Sequence, residues 1–524
     1  MPIPSDYVTG PTPPAFAGAE DTQRQTETQR RRRMLSGIWR ADLALELARR
    51  VGSKRAKAWV ESPILETNPF NGVCKELAVL YVEAPMLKHE SASPGSLASL
   101  ASDLETAQLW GLMGRVQRFC LGLREMLVRV SVENGRIVFR EVYPDLCYGR
   151  SREDRPDQPV MLAELRQRSL EGLTFWTFDY FDLSDPENPL CQIRAVGKGG
   201  ILGEDLSAAF WKEERSGEKY PYRRRDGSPF IPYVLYHAEP VGDRLWSPYD
   251  WSEIVEGSVS LAVKYNMLDH VFVQASWPQR YILGAEVDGV GEGANQRELI
   301  TDPAVLLQLR KQEDFEGQPV IGQWAPAADV DKLEAVLESL SAKLAVEAGV
   351  NASDVNRLNS QRSGVSISLT NEGKRAQQRR FAPVFRDPDS RLVAMAATLL
   401  NRAREATGET PIYAEGGYKV LYRELPLSPS ELESRRKNIL ELLDARLVSR
   451  TDAYLELNPG LTRTMARTEL ARIDAEENAA PGEQLSQLVA GALAAAKGGD
   501  LEGVTIALQE ISQILTMPDQ PVYL

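Results

Sequence analysis

Histidine and cysteine, the side chains that most often bind metals or act as nucleophiles, are scarce in this chain of 524 residues. The three histidines are far apart in sequence: His89, His237 and His270. The four cysteines are also widely separated and form no Cys-x-x-Cys motif: Cys74, Cys120, Cys147 and Cys191. Zinc motifs place their ligands a few residues apart, so the sequence predicts no such site. We expect the cysteines to be buried free thiols in a reducing compartment.

Other catalytic motifs are missing as well. The glycine-rich stretch "GKGGILGED" at 197–205 lacks the Lys-Ser/Thr ending of a phosphate-binding P-loop, and we interpret it as a turn. No Gly-x-Ser-x-Gly nucleophile motif occurs. The acidic pairs Asp179/Asp182 and Asp185/Glu187 fall in predicted loops, where carboxylates usually cap turns. The sequence therefore predicts a protein that is not an enzyme and that has no metal and no cofactor.

The chain also lacks long apolar runs and a basic excess. No stretch approaches the roughly 18 apolar residues of a membrane-spanning helix, and the start "MPIPSDYVTGPTPPAFAGAED" is not typical of a secretory signal. The net charge is −13. A protein that wraps nucleic acid by neutralising phosphates is usually basic, so this class is disfavoured. An acidic chain could still let DNA slide past without sticking.

Residues 1–35 are predicted to form a flexible arm, because they are rich in Pro, Gly, Thr and Gln and end in the run Arg30 to Arg33. Two interpretations remain open. The arm is either a disordered tail with a charge run, or a segment that binds a neighbouring subunit or nucleic acid.

Residues 36–246 combine helices with short strands. Helical apolar spacing occurs from Asn68 to Met86 and from Leu104 to Leu127. The period then changes to two in "EMLVRVSVENGRIVFREVYP", where Asn134-Gly135 is a strong hairpin signal. The region from about 125 to 240 is therefore predicted to be mostly β.

Two helices, 247–276 and 329–348, are predicted on either side of a small β-rich unit, 277–328. Ser247 is expected to cap the first helix. That helix carries one continuous apolar stripe, which includes Trp251, Ile254, Leu261, Tyr265 and Phe272. The stripe fits either the core of a monomeric bundle or a surface that packs against a neighbouring subunit. We favour the second, because an isolated helical pair buries little apolar area.

The segment 349–364 is predicted to be a polar loop. Residues 365–430 follow, with a helix from about Ser366 to Ala406 and a return strand. Pro383 and Pro388 inside this helix predict a kink, since each removes a backbone donor. Residues 431–524 are predicted to be helical. The fold class expected for the whole chain is α+β, mostly helical.

The order of these elements resembles the portal proteins of tailed bacteriophages. The stretches that carry the resemblance cover much of the chain: "NPFNGVCKELAVLYVEAPM", "VENGRIVFREVYP", "GSPFIPYVLYH", "YDWSEIVEGSVSLAVKYNMLDHVFVQASWPQRYILG", "LNSQRSGVSISLTNEGKRAQQRRFAPVF" and "LPLSPSELESRRKNILELLDARLVSRTDAYLEL". Each stretch is degenerate alone, and the ordered set is more specific. Residues 1–35 and those after about 480 match no part of the family.

The resemblance implies a portal-like fold with named parts. An α/β wing would comprise 36–246 and 365–430, and the two-helix stem 247–276 and 329–348. The clip would be 277–328, the tunnel loop 349–364 and the helical crown 431–524. The tunnel loop would face DNA with polar side chains, of which the candidates are Asn356, Arg357, Asn359, Gln361 and Arg362. Four cations just beyond it would line the channel or lie at an inter-subunit or solvated face: Lys374, Arg375, Arg379 and Arg380.

The resemblance further implies a homo-oligomeric ring, typically of twelve subunits, at one vertex of the virion and assembled in the host cytoplasm. Double-stranded DNA would pass through it during packaging and ejection. The implied partners are terminase, a head–tail adaptor, and the major capsid and scaffolding proteins, with no membrane. Two alternatives remain: another head–tail connector or minor capsid protein without a translocation channel, and an unrecognised metal-dependent enzyme that acts on nucleic acid.

Overall fold

The protein is represented by a computed structural model with two compact units. The first unit is Met1–Gln361 with Thr370–Leu425, and the second is Arg362–Leu369 with Pro426–Leu524. The structure describes residues 19–52, 65–170, 173–196, 202–210, 220–248, 250–276, 279–283, 285–287, 309–311, 318, 320–324, 329–350, 364–423, 429–458, 463–497, 504–506 and 508–509. Within these ranges helices and strands form a mixed α+β protein in which helix predominates, as expected from the sequence.

Helices make up the start of the first unit. They are α1 (Ala19–Ser36), α2 (Arg40–Val51), α3 (Pro69–Leu77), α4 (Pro94–Thr106) and α5 (Leu109–Leu123). Local signals set their ends. The Asn68 side chain caps α3 by accepting a hydrogen bond from the Asn71 N–H, and Pro69 occupies the first turn. The apolar face of α5 is fully buried, including Met113, Val116 and Cys120.

Antiparallel sheets follow. Strands β2 (Glu125–Glu133), β3 (Arg136–Val142) and β9 (Tyr233–His237) form a sheet in the order β3-β2-β9. Strands β4 (Cys147–Ser151), β5 (Pro159–Leu170), β6 (Leu173–Asp182), β7 (Leu190–Val196) and β8 (Leu202–Asp205) form a five-stranded meander in sequence order. A short helix, α6 (Ser207–Phe210), comes after β8. Every strand pair among the described residues is antiparallel, so the predicted α/β wing is α+β in the strict sense.

The predicted hairpin is confirmed. Strands β2 and β3 pair from Leu127 with Val142 to Glu133 with Arg136, and the turn consists of Asn134 and Gly135. Both turn residues have positive φ, 52° and 74°. Two consecutive residues with positive φ match the twist of an antiparallel pair, which explains why Asn-Gly occupies the turn.

Two helices and four short strands form the next segment. Helix α7 (Ser252–Ser276) is followed by β10 (Gln279–Leu283), β11 (Ala285–Val287), β12 (Leu309–Lys311), β13 (Val320–Trp324) and helix α8 (Val330–Glu347). Strand β10 pairs with β13, and β11 pairs with β12, so the outer pair encloses the inner pair in sequence. The order helix, β unit, helix is therefore as predicted.

The helix that carries Lys374, Arg375, Arg379 and Arg380 is long. Helix α9 (Gly364–Ala406) continues through Pro383 and Pro388, so neither proline ends it. Strand β14 (Lys419–Leu421) then pairs with β1 (Met86–Lys88) within the first unit. In the second unit the helices are α10 (Pro429–Asp444), α11 (Arg450–Leu457) and α12 (Arg463–Lys497).

The N-terminal segment differs from the prediction of a flexible arm over 1–35. Residues Ala19–Ser36 form helix α1, which packs within the first unit. The Arg24 side chain, which is buried, donates to the backbone oxygens of Pro144 (3.0 Å) and Cys147 (2.7 Å). The Arg31 side chain, also buried, donates to the backbone oxygen of Asp250 (2.8 Å). Residues 1–18 lie outside the described part of the chain.

Helix α7 also begins later than expected. Ser247 was predicted to cap it, but the first helical residue is Ser252. The Ser247 N–H donates to the Glu125 carboxylate (2.6 Å) and its hydroxyl donates to the Arg124 backbone oxygen (3.1 Å). Ser247 therefore fixes the chain to the start of β2, and this contact replaces the predicted cap.

Candidate oligomer and nucleic-acid interface

Helices α7 and α8, which the resemblance would make a stem, pack against each other as an antiparallel pair. Gly257, near the start of α7, faces Leu344, near the end of α8. Tyr265, two turns further along α7, lies close enough to Glu338 and Glu334 that burial and these two carboxylates raise its pKa. Residue numbers thus increase along one helix as they decrease along the other. Helix α7 has 25 residues, which gives a length of about 37 Å at about 1.5 Å per residue.

The apolar stripe predicted on α7 changes in burial along the helix. Ile254 and Leu261 are fully buried, whereas Trp251 and Tyr265 are partly buried. Phe272, at the far end, is 58% exposed. The first half of the stripe therefore packs against other parts of the same chain. Its last residue, Phe272, is exposed to solvent in the monomer.

Helix α8 exposes apolar side chains at the same end of the pair. Leu333 is 42% exposed and Val336 is 55% exposed, and both lie in the half of α8 that is next to the far half of α7. Single apolar side chains on a surface are ordinary, but these three are exposed at the same end of the helical pair. We call Phe272, Leu333 and Val336 the stem-end patch.

The four basic residues singled out in the sequence, Lys374, Arg375, Arg379 and Arg380, all lie in α9 and form ion pairs within the chain. The Lys374 ammonium lies 2.9 Å from Glu76, and Arg380 lies 3.1 Å from Glu239. Arg375 and Arg379 both lie near the carboxylate of Glu372, at 3.4 Å and 3.5 Å. The structure thus brings the four predicted cations to one helix and places a carboxylate beside each of them.

These four cations differ in exposure. Arg375 is buried, and the Arg379 side chain is 66% exposed. Arg380 also has a largely exposed side chain, while Lys374 is half-buried. Exposed ion pairs break readily, so Arg379 and Arg380 are the members of the cluster that could contact phosphate.

The predicted DNA-facing side chains fall outside the described residues. These are Asn356, Arg357, Asn359, Gln361 and Arg362. The helix that precedes them ends at Glu347 and the helix that follows begins at Gly364.

Sequence reasoning missed a charged network between the two larger sheets. The buried Asp179 carboxylate on β6 accepts hydrogen bonds from Arg166 (3.2 Å) and Arg168 (2.7 Å) on β5 and from Arg129 on β2. Burial raises the pKa of Asp179, but the guanidinium groups of Arg129, Arg168 and Arg166 outweigh it and lower the pKa to about 2. Asp179 was predicted to cap a turn, which is wrong, because it lies within β6 and holds three arginines.

A cleft in the first unit is the other feature that could bind a ligand. It has a volume of about 530 Å³ and lies between β9, the helix face of α9 around Arg391, and the loops near Arg152 and Glu415. Its charged groups are largely engaged: Arg391 pairs with Asp387 (3.0 Å) and Arg152 with Asp154 (2.9 Å). Nothing about the cleft indicates a particular ligand or reaction.

Across the described ranges, no three His, Cys, Asp or Glu side chains are grouped closely enough to bind an ion. The four cysteines are buried thiols that form no disulfide bond, as predicted. None of the described helices is both long enough and apolar enough to cross a membrane.

No family model matches the chain, and no curated protein matches it either.

Proposed function

We propose that this chain is the subunit of a portal ring, a structural protein through which double-stranded DNA passes at one vertex of a phage capsid. The observation that carries the proposal is the antiparallel pair α7 and α8, which encloses a small β unit and ends in the stem-end patch. The pair buries Ile254 and Leu261 within the chain and exposes the stem-end patch at its far end, while Val346 near its base is also exposed. Packing against the helical pairs of neighbouring subunits would cover the patch.

The electrostatic character of the chain is consistent with this role. The net charge is −13, and the cations that follow the predicted tunnel loop are each beside a carboxylate. Such a surface repels DNA overall and offers only weak, salt-sensitive contacts to phosphate. Low affinity favours passage, because a channel that gripped the duplex would stop it.

The proposal assigns functions to the parts already named. The stem and stem-end patch would form inter-subunit contacts, and the clip would meet terminase and later the head–tail adaptor. Capsid and scaffolding proteins would meet the outer parts of the ring. No observation on the molecule favours the enzyme alternative or a connector without a channel.

The test is the solution mass of the purified full-length chain by light scattering, with negative-stain images of the same fractions. A closed ring with a central hole and a mass near a whole multiple of 58.3 kDa, about twelve-fold for this family, is the expected result. If the chain alone is monomeric, the same measurement is repeated after co-expression with capsid and scaffolding proteins. A monomer or dimer under both conditions would overturn the proposal.

A further inference from the structure

A single buried carboxylate joins the long helix α9 to three other parts of the first unit. Asp389 is fully buried. Its Oδ2 accepts hydrogen bonds from the hydroxyls of Tyr81 (2.8 Å) and Tyr422 (2.7 Å), and its Oδ1 accepts one from the hydroxyl of Tyr236 (2.9 Å). We call these four residues the Asp389 cluster.

The three tyrosines come from segments that are far apart in sequence. Tyr81 follows α3, Tyr236 lies in β9, and Tyr422 directly follows β14. Asp389 lies in the middle of α9, immediately after Pro388, whose missing N–H weakens the helix's own hydrogen-bond ladder. At this point α9 is therefore held by its contacts to other elements.

Two arginines lie near the Asp389 cluster in sequence, but neither forms an ion pair with the Asp389 carboxylate. Arg386 and Arg391 lie on α9 itself, and Arg391 pairs with Asp387. No cation forms an ion pair with Asp389 among the described residues. His237, next to Tyr236 on β9, stays neutral near pH 7, because burial and the charge of Arg391 lower its pKa to about 4.

The three tyrosine hydroxyls can form hydrogen bonds with both the protonated and the ionised form of the Asp389 carboxyl group. Burial raises the pKa of Asp389 to about 7, although the three hydroxyl donors oppose this rise. A tyrosine hydroxyl both donates and accepts. The protonated carboxyl group can therefore donate to one tyrosine oxygen while it accepts from the other two hydroxyls, so each state finds partners.

We infer that the Asp389 cluster is a proton-dependent latch on α9: the protonated carboxyl group holds the helix most firmly, and its ionisation loosens the junction. The ionised form is a desolvated charge without a cation, which makes it the less stable state of the folded protein. The carboxyl group ionises near neutral pH, so a small change in its surroundings alters the fraction of molecules in which it is ionised. The inference does not depend on the proposed portal function.

Hydrogen exchange of the full-length protein tests the latch. Deuterium uptake of peptides that cover residues 381–406 is compared at about pH 6 and about pH 8, on either side of the transition, after correction for the intrinsic exchange rate. We expect faster corrected exchange at the higher pH, by about tenfold in total over this interval, because stability is lost as pH rises toward the folded pKa of about 7 and changes little above it. Asp389→Asn, which keeps the shape and removes the titration, should abolish this difference.

Two further variants separate a latch from a merely structural contact. Asp387→Asn removes a carboxylate from the exposed side of the same helix and should keep the normal pH response. Tyr422→Phe removes one donor to the anion, so the midpoint should move to higher pH, and it should do so whether or not Asp389→Asn folds. Infrared absorption of the protonated carboxyl group follows the midpoint directly. An unchanged midpoint in Tyr422→Phe, or an unchanged pH response in Asp389→Asn, would overturn the inference.

Discussion

Gly257 of α7 lies so close to Leu344 of α8 that a Cβ at position 257 would be 2.5 Å from Cδ2 of Leu344. Real Cβ atoms do not approach other carbons this closely, so only glycine fits here without movement of the partner. Glycine costs a helix about 0.5–1 kcal/mol relative to alanine. At this position close packing of the two stem helices offsets that cost.

Gly257→Ala should therefore destabilise the chain in spite of its better helix propensity. We expect a loss of about 1–3 kcal/mol in the free energy of unfolding, the usual range for an overpacked site. Gly111→Ala is the matched control, because it is also in a helix and no atom lies within 4 Å of its added Cβ. Denaturant unfolding of both variants checks this, and equal stability of the two would contradict the packing argument.

Asp179→Asn should be among the most destabilising single changes in the first unit. It leaves the guanidinium groups of Arg129, Arg166 and Arg168 beside a neutral amide. Loss of one partner from a buried ion pair typically costs about 3–5 kcal/mol. Arg152 and Asp154 provide the control, since both side chains of that pair are largely exposed, and Asp154→Asn should hardly change thermal stability.

The same carboxylate predicts a specific response to acid. The pKa of Asp179 is lowered to about 2 in the folded protein, below the roughly 3.9 of an unperturbed aspartate. Its contribution to stability is therefore present above about pH 4 and is lost as pH falls toward the folded pKa. The stability difference between the original chain and Asp179→Asn should shrink over this range, as measured by denaturant unfolding. A difference that stays constant down to about pH 2 would contradict the ion-pair explanation.

Helix α1 shows where sequence reasoning was insufficient. A helix is recognised by an apolar stripe, and Ala19–Ser36 has none, because the side chains that it buries include Arg24 and Arg31. Each has one local carboxylate partner, Asp21 or Glu27, but their other partners are backbone oxygens and the Glu125 carboxylate, more than 80 residues away in sequence. No local pattern encodes such partners, so the run of arginines was interpreted as part of a flexible arm.

Other parts of the fold were predictable because their signals are local. The Asn134-Gly135 turn defines its own hairpin, and the apolar periods of α7 and α8 locate both helices to within a few residues. The candidate site was only partly predictable. The stripe on α7 was visible in sequence, but the exposure of Phe272 depends on where the core ends. The carboxylates beside Lys374 and Arg380 come from distant segments.

Arg24→Met tests whether the buried arginines of α1 are needed for stability. The variant leaves Glu125 buried, and burial already raises the pKa of Glu125 to about 7 against the opposing effects of Arg24 and the Ser247 N–H. We expect a loss of about 3–5 kcal/mol. Arg30→Met, in the same helix, removes a more exposed pair with Glu256 and should cost less than about 1 kcal/mol.

The double variant Arg24→Met with Glu125→Gln makes this test sharper. Replacing both charges removes the unpaired buried carboxylate, so the double variant should be more stable than Arg24→Met alone. Thermal unfolding of the two single variants and the double variant gives the coupling energy. A coupling energy near zero would show that the pair contributes nothing beyond its separate contacts.

Shortening Phe272 and Val336 of the stem-end patch tests the proposed ring. Both side chains are more than half exposed in the monomer, so Phe272→Ser and Val336→Ser should change the stability of the folded chain by no more than about 0.5 kcal/mol. If neighbouring stems cover the patch, each change removes apolar area from every inter-subunit contact, worth roughly 25 cal/mol per Å². A closed ring repeats that loss at each interface, so the fraction of chains in rings should fall steeply. Leu45→Ser is the control, because Leu45 on α2 is 72% exposed and lies outside the stem. Rings that form equally well in all three variants would place the inter-subunit contact elsewhere on the molecule.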